Sequence, residues 1–242
     1  MHIDLFITPV PLAKANLENK TVVVIDVLRS STSICAALMS GAKGVIPTEG
    51  PGEAGDMRMK IGAEMAVLAG ERNGVKLDSF NFGNSPGEFT RAAVEGKFVI
   101  MTTTNGTGIF GKAYMAGPVL SCALVNVTKV AERVAKENHD VVMVCSGQEG
   151  SFSIEDTICG GMLIHLLQTK FKMRVTVNDA GSLALLLYRT NTTAIKQTLQ
   201  SGEHGRFLTS IGFGSDVETA AAVDTMPILP VLKDGRLVLE EN

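Results

Sequence analysis

The sequence predicts an α/β fold: a largely parallel sheet with helices on both faces, plus a mostly helical C-terminal region and a terminal β-hairpin. Three observations carry that expectation. Short β-branched runs alternate with longer stretches of helical pattern over most of the 242 residues, as repeated βαβ units require. The run VVVI at positions 22–25 is apolar at every position, the mark of a strand buried on both faces. Near the C-terminus, ILPVLKDGRLVLE places two β-like runs around Asp234-Gly235, a dipeptide suited to a type I′ turn.

Taken in order, β-branched runs predict strands at 3–8, 21–27, 44–48, 98–102, 118–122 and 140–145. Helical patterns follow at 32–40, 51–65, 86–95, 107–115, 127–138 and 154–170. The start of the third helix is the most legible. In NSPGEF, Ser85 suits the N-cap, Pro86 the first helical position, and Glu88 completes a capping box. Residues 178–222 read as mostly helical and glycine-punctuated, without a clear linker before them. The expected division is therefore an α/β domain over 1–176 and a helical and hairpin region over 177–242, either a second lobe or a cap on the same domain. No internal repeat or low-complexity tract is evident.

Composition narrows the function. Hydrophobic residues make up 45% and charged residues 19%, ordinary for a globular protein. Trp is absent, aromatics are 5% and the formal net charge is −3, so neither a stacking platform nor a phosphate-backbone partner is expected. MHIDLFITPVPLAKA lacks a basic leader, and no apolar run reaches the roughly 20 residues of a membrane span. Cys35, Cys122, Cys145 and Cys159 are scattered without a CxxC pair, which predicts buried, reduced thiols and a cytoplasmic protein.

The chemistry gathers where strands end. VVVIDVLRSST passes from a core strand to Asp26, Arg29, Ser30, Ser31 and Thr32. FVIMT runs into Thr103, Thr104, Asn105, Gly106 and Thr107, and DVVMVC into SGQEGSFSIED with Glu155 and Asp156. Each loop leads to a helix, and in open parallel sheets ligands bind in the crevice at the carboxyl ends of strands. Any one of these groups has a plain structural role: Ser31 or Thr32 as N-cap, Arg29 paired with an acid, Asn105-Gly106 as a turn, Glu155 and Asp156 on the helix dipole. Together, hydroxyl and amide donors with one Arg suit an oxyanion such as phosphate, and converging carboxylates suit a hard cation such as Mg²⁺. Walker-type and GxGxxG loops are absent, and Leu28 stands where the DxD pattern of haloacid-dehalogenase-type phosphatases needs a second Asp.

VVVIDVLRSSTSI, AGERNG with FNFGNSPGEFT, TTTNGT, CSGQEGSFSIEDTICGG, HGRFLTSIGFGSDVETAA and MPILPVL together resemble the successive motifs of the 2-phosphosulfolactate phosphatase, or ComB, family over nearly the whole chain. The resemblance implies Mg²⁺-dependent hydrolysis of 2-phosphosulfolactate to sulfolactate and phosphate, in coenzyme M biosynthesis. It points to Asp26, Arg29 and Glu155 as catalytic, with Asp26, Glu155 and Asp156 on the metal. Ser30, Thr32, Arg72, Asn84, Ser85, Thr104, Asn105, Gly106, His204 and Arg206 are the candidates for binding substrate, and Glu71 and Asp216 are marked without a role. The expected partner is a small anionic phosphate ester rather than nucleic acid or membrane, with assembly into a homo-oligomer left open. Two rival readings use the same residues: a cysteine hydrolase of the isochorismatase-like kind with Cys145 as nucleophile, and a non-catalytic binder of anionic metabolites.

Overall fold

The computed structural model describes residues 1–113 and 117–240. The chain opens with β1 (His2–Phe6) and β2 (Thr21–Ile25), then α1 (Ser30–Met39), β3 (Gly44–Pro47) and α2 (Pro51–Ile61). Next come β4 (Ala66–Arg72), β5 (Val75–Lys76), α3 (Arg91–Val94), β6 (Phe98–Thr102), α4 (Thr107–Ala113) and β7 (Val119–Cys122). After them follow α5 (Val127–Glu137), β8 (Val141–Cys145), α6 (Ile154–Thr169) and β9 (Thr176–Val177). The C-terminal part holds α7 (Asp179–Thr190), α8 (Ile195–Ser201), α9 (Glu203–Ser210), α10 (Gly214–Ala220), β10 (Pro230–Lys233) and β11 (Arg236–Leu239). Among the described residues, no helix is long and apolar enough to cross a membrane.

The α/β class holds, with an open and mostly parallel sheet in the order β5-β4-β6-β3-β11-β10-β7-β2-β8-β1-β9. The hairpin turns at Asp234-Gly235, both at positive φ (49° and 75°), as a type I′ turn requires. It does not end the sheet. It splices into the middle, β11 against β3 and β10 against β7, all antiparallel. Those three successive reversals make the block β4-β6-β3 run opposite in sense to the block β7-β2-β8-β1-β9.

Twist reconciles the two blocks. At about 20–25° per strand, the five steps from β6 to β2 accumulate about 100–125°, and the loops at the carboxyl ends of both blocks touch. Val23 and Ile25 face a core shared with α5 and α6. Val22 and Val24 face a second core in which Ile34 of α1 and Phe110 of α4 meet Val45, Val99 and Met101 of the other block. Ala184, Leu199 and Val217 of the C-terminal helices belong to the same core as Val23 and Leu163.

Two predicted elements change. Helix 51–65 stops at Ile61, because Gly62 adopts φ 101°, a conformation that L side chains rarely adopt; residues 66–72 then form the unforeseen strand β4. Helix 86–95 is broken. Glu88 reaches back to the Ser85 amide at 3.2 Å as expected, but Phe89 leaves helical backbone (ψ 64°) and buries its ring 6.0 Å from Phe82. Helix 107–115 begins where predicted, and its last two residues lie outside the described residues.

Candidate active site

The residue after β2 is Asp26, and the parallel registers bring Ile25 level with Cys122 of β7 and Cys145 of β8. Asp26 is buried, and its Oδ1 accepts the Ser30 amide at 3.1 Å. The Gly106 backbone lies against it so closely that a Cβ there would collide with Asp26 Oδ2. Burial pushes the Asp26 carboxyl above its ordinary range; Ser30 and His204 pull it back and Glu71 adds to the rise. Ser30 Oγ donates to Thr103 Oγ1 at 3.2 Å, joining the end of β2 to the end of β6.

Glu71, at the end of β4, ties two loops together. Its Oε2 accepts the Gly74 amide and its Oε1 the Thr104 amide, both at 2.8 Å. Beside it, Arg29 is buried in a fixed posture. Nη1 donates to Asp216 Oδ2 at 2.8 Å, Nη2 to the Gly74 carbonyl at 3.1 Å, and the guanidinium lies 4.4 Å from the Phe213 ring centroid. Asp216 Oδ1 accepts Ser85 Oγ at 2.6 Å. Part of the TTTNGT loop is likewise satisfied internally: the Thr103 amide donates to Thr107 Oγ1 and the Thr107 amide to Thr103 Oγ1.

The two acids that open α6 face different neighbours. Asp156 Oδ1 accepts the Val27 amide at 2.8 Å, and Oδ2 accepts Ser146 Oγ and the Gly147 amide at 3.0 Å each. Burial, with the nearby charges of Glu155 and Asp26, pushes its carboxyl well above the usual range. Glu155 instead sets Oε1 3.1 Å from His204 Nδ1 of α9.

These elements enclose a cavity of about 250 Å³. Of the predicted residues, Asp26, Arg29, Ser30, Asn84, Thr104, Asn105 and His204 line it. Thr32, Ser85, Gly106, Glu155 and Asp156 do not; Thr32 Oγ1 bonds the Val27 carbonyl at 2.8 Å, and Asn105 Oδ1 accepts the Glu149 amide at 2.9 Å across the mouth. Two expected basic groups lie elsewhere. Arg72 is spent on the Glu71 carbonyl and Thr102 Oγ1, and Arg206 is exposed and bonds the Ser201 carbonyl. Asn84 is 4% exposed, and its Oδ1 is enclosed without a hydrogen-bond partner. Among the described residues, no three His, Cys, Asp or Glu side chains assemble a ready cation site.

Sequence reasoning missed Asn73, Gly74, Gln148, Glu149, Phe207 and Leu208 in this lining. Two of them carried a signal: Asn73-Gly74, at φ 52° and 77°, is the turn dipeptide between β4 and β5. His204, Phe207 and Leu208 share a helix face at i, i+3 and i+4, which also explains why Arg206 points away.

The family described as 2-phosphosulpholactate phosphatase matches residues 6–235. A protein of Clostridium acetobutylicum described as a probable 2-phosphosulfolactate phosphatase is 36% identical over 238 residues, 98% of this chain and 100% of the relative. One of Carboxydothermus hydrogenoformans with the same description is 37% identical over 244 residues, covering 100% of this chain and 98% of the relative. One of Caldanaerobacter subterraneus is 37% identical, covering 91% of this chain and 90% of the relative. With the motifs of the strand-end loops gathered around one cavity and this likeness running end to end, the chain belongs to the 2-phosphosulpholactate phosphatase family.

Proposed function

We propose that the protein hydrolyses 2-phosphosulfolactate, or a similarly small and strongly anionic phosphate ester, to the alcohol and inorganic phosphate. In that role it serves coenzyme M biosynthesis in the cytoplasm, with Mg²⁺ as cofactor. The observation that carries the reading is the convergence of Asp26, Arg29, Ser30, Thr104 and Asn105 on one cavity from the ends of β2 and β6, in a chain of this family.

The residues fit a magnesium ion in a limited way. Mg²⁺ is commonly held by one or two carboxylates, waters and substrate phosphate rather than by a full protein cage. Asp26 is the acid best placed to hold the ion, since it lines the cavity and its oxygens meet hydrogen-bond donors from Ser30 alone. Asp156 is already engaged by three donors, and Glu155 stands behind His204. Bound there, the ion would polarise the phosphoryl group and orient water.

The chain's own groups supply the rest. The Arg29 guanidinium, held flat by Asp216 and Phe213, offers charge to the phosphoryl oxygens as they gain negative character. His204, held at Nδ1 by Glu155, places its ring in the cavity, where it can orient the leaving oxygen. A thiol mechanism has less support. Cys145 is fully buried, and burial with the Asp156 charge beside it pushes its thiol well above the ordinary range, away from the reactive thiolate.

The test is phosphate release from 2-phosphosulfolactate and a panel of small phosphate esters, with EDTA and then with added Mg²⁺. Activity lost on chelation and restored by Mg²⁺ is expected. Full activity after thorough chelation would remove the metal from the reading, and no release from any ester would return the reading to the cysteine-hydrolase and binding-protein alternatives.

A further inference from the structure

Glu71 is marked by the sequence motifs, and the function proposed above leaves it without work. It is 6% exposed near the end of β4 and lines the cavity over Asp26. An uncommitted carboxylate there would be a cation ligand or a proton acceptor, yet this one is committed. Oε1 accepts the Thr104 amide at 2.8 Å; Oε2 accepts the Gly74 amide at 2.8 Å and Thr104 Oγ1 at 3.2 Å. A carboxylate has about four acceptor positions, and two main-chain amides and one hydroxyl already fill three of them.

Gly74 carries the tie further. Its N–H goes to Glu71, and its carbonyl accepts Arg29 Nη2 at 3.1 Å. The residue is held from outside as well: its φ is 77°, and a Cβ there would collide with Ile211 Cδ1. Like the bond from Ser30 Oγ to Thr103 Oγ1, the bond from Arg29 to Gly74 crosses from the β2 side of the cavity to the β4 and β6 side. Glu71 therefore holds, in one carboxylate, the acceptor side of that crossing and the loop that carries Thr104 and Asn105.

We propose that Glu71 is a positioning residue: it sets the distance between Arg29 and the Thr104–Asn105 loop, so that both meet the same phosphoryl group. The role rests on the function proposed above, which puts the phosphate in this cavity. Arg29 and the loop come from two oppositely running blocks of strands, so no shared element fixes their separation. A displacement of about 1 Å in such a site costs on the order of 100-fold in rate. The chemistry of the place calls for glutamate. Glutamine has one acceptor oxygen and would turn its NH₂ toward one of the two amides, and aspartate is one methylene short of reaching both.

Calorimetric binding of inorganic phosphate to the full-length protein, with magnesium present throughout, reads the constellation without turnover. Arg29→Lys in the parent protein should weaken phosphate by about tenfold, the scale of one hydrogen bond to a charged group. In a Glu71→Gln background the same change should cost less than about threefold, because a guanidinium already displaced has little left to lose. A structural role alone would leave the tenfold factor equal in both backgrounds and would overturn the proposal. So would a Mg²⁺ affinity more than about tenfold weaker in Glu71→Gln, which would make Glu71 a cation ligand. Turnover should follow, with kcat/KM for 2-phosphosulfolactate down by about 100-fold in Glu71→Gln; an unchanged value would also overturn it. The last measurement needs no variant to fold. Thr104 is exposed, so its amide is protected by the bond to Glu71 rather than by burial. In the unmodified protein that amide should exchange hydrogen at least about 100-fold more slowly than a free loop amide, and free exchange would overturn the clamp. If the parent protein releases phosphate from no ester while phosphate binding keeps this coupling, the proposed reaction falls and the positioning role stands.

Discussion

Asp216 came out of the sequence without a role, and the structure makes it a strong point of leverage. Asp216→Asn removes the charge that faces Arg29 Nη1 at 2.8 Å while keeping the side chain's size. The two side chains are only 5% and 3% exposed, so water does not screen the loss. Breaking a buried ion pair from one side costs roughly 3–5 kcal/mol, because the remaining charge stays buried. Against a total stability of about 5–15 kcal/mol for a natural domain, that is a large share. At roughly 2–4 °C per kcal/mol for chains of this size, the melting temperature should fall by about 6–20 °C. Calorimetric melting at pH 7 reads the effect, and Arg29→Met combined with Asp216→Leu should recover much of it, since an apolar pair carries no stranded charge. A melting temperature within about 2 °C of the parent protein would show that Arg29 finds other compensation and would refute the argument.

Two further outcomes follow from buried groups. In the metal-free protein, burial raises the Asp26 carboxyl, so the native state keeps its proton over a pH range in which the unfolded chain has released it; stability therefore falls as pH rises through that range and the full cost stands above it. Asp26→Asn should accordingly melt above the parent protein at pH 8, with the gain shrinking toward pH 4, while kcat drops by about 100-fold or more; equal gains at both pH values would reject the linkage. Cys145→Ala should keep most phosphate-releasing turnover and lose about 1–2 kcal/mol of stability in urea melts, whereas a folded, magnesium-binding variant without turnover would restore the thiol mechanism.

The elements that the sequence revealed are those decided locally. VVVIDV is apolar at every core position, and Asp234-Gly235 can hardly do anything but turn. What it hid was decided at long range. Nothing in ILPVLKDGRLVLE says that the hairpin inserts between β3 and β7, because a single pairing on each side, Leu237 with Val45 and Val231 with Leu120, fixes its place. That insertion matters to function: the reversal it imposes, with the twist of the sheet, lets the end of β6 meet the end of β2. Without it, Ser30 and Thr103 would not share a hydrogen bond, and the TTTNGT loop would lie far from Asp26.

The site shows the same division on a finer scale. Residue type and position at a strand end were enough to pick out Asp26, Arg29, Ser30 and Asn105, all of which line the cavity. They were not enough to separate Glu155 from Asp156. Successive residues on a helix diverge by about 100°, so two adjacent acids at the start of α6 must look at different neighbours. Asp156 looks back at β2 and β8, where three donors from Val27, Ser146 and Gly147 hold the two strand ends together. Glu155 looks outward to α9 and orients His204. Which of the two does which depends on the rotation at which α6 enters the fold, set by the loop from Ser146 to Ser153 and by Ile158 and Cys159 in the core behind. One geometric choice, invisible in the sequence, therefore sets both the brace under the active site and the posture of the histidine inside it.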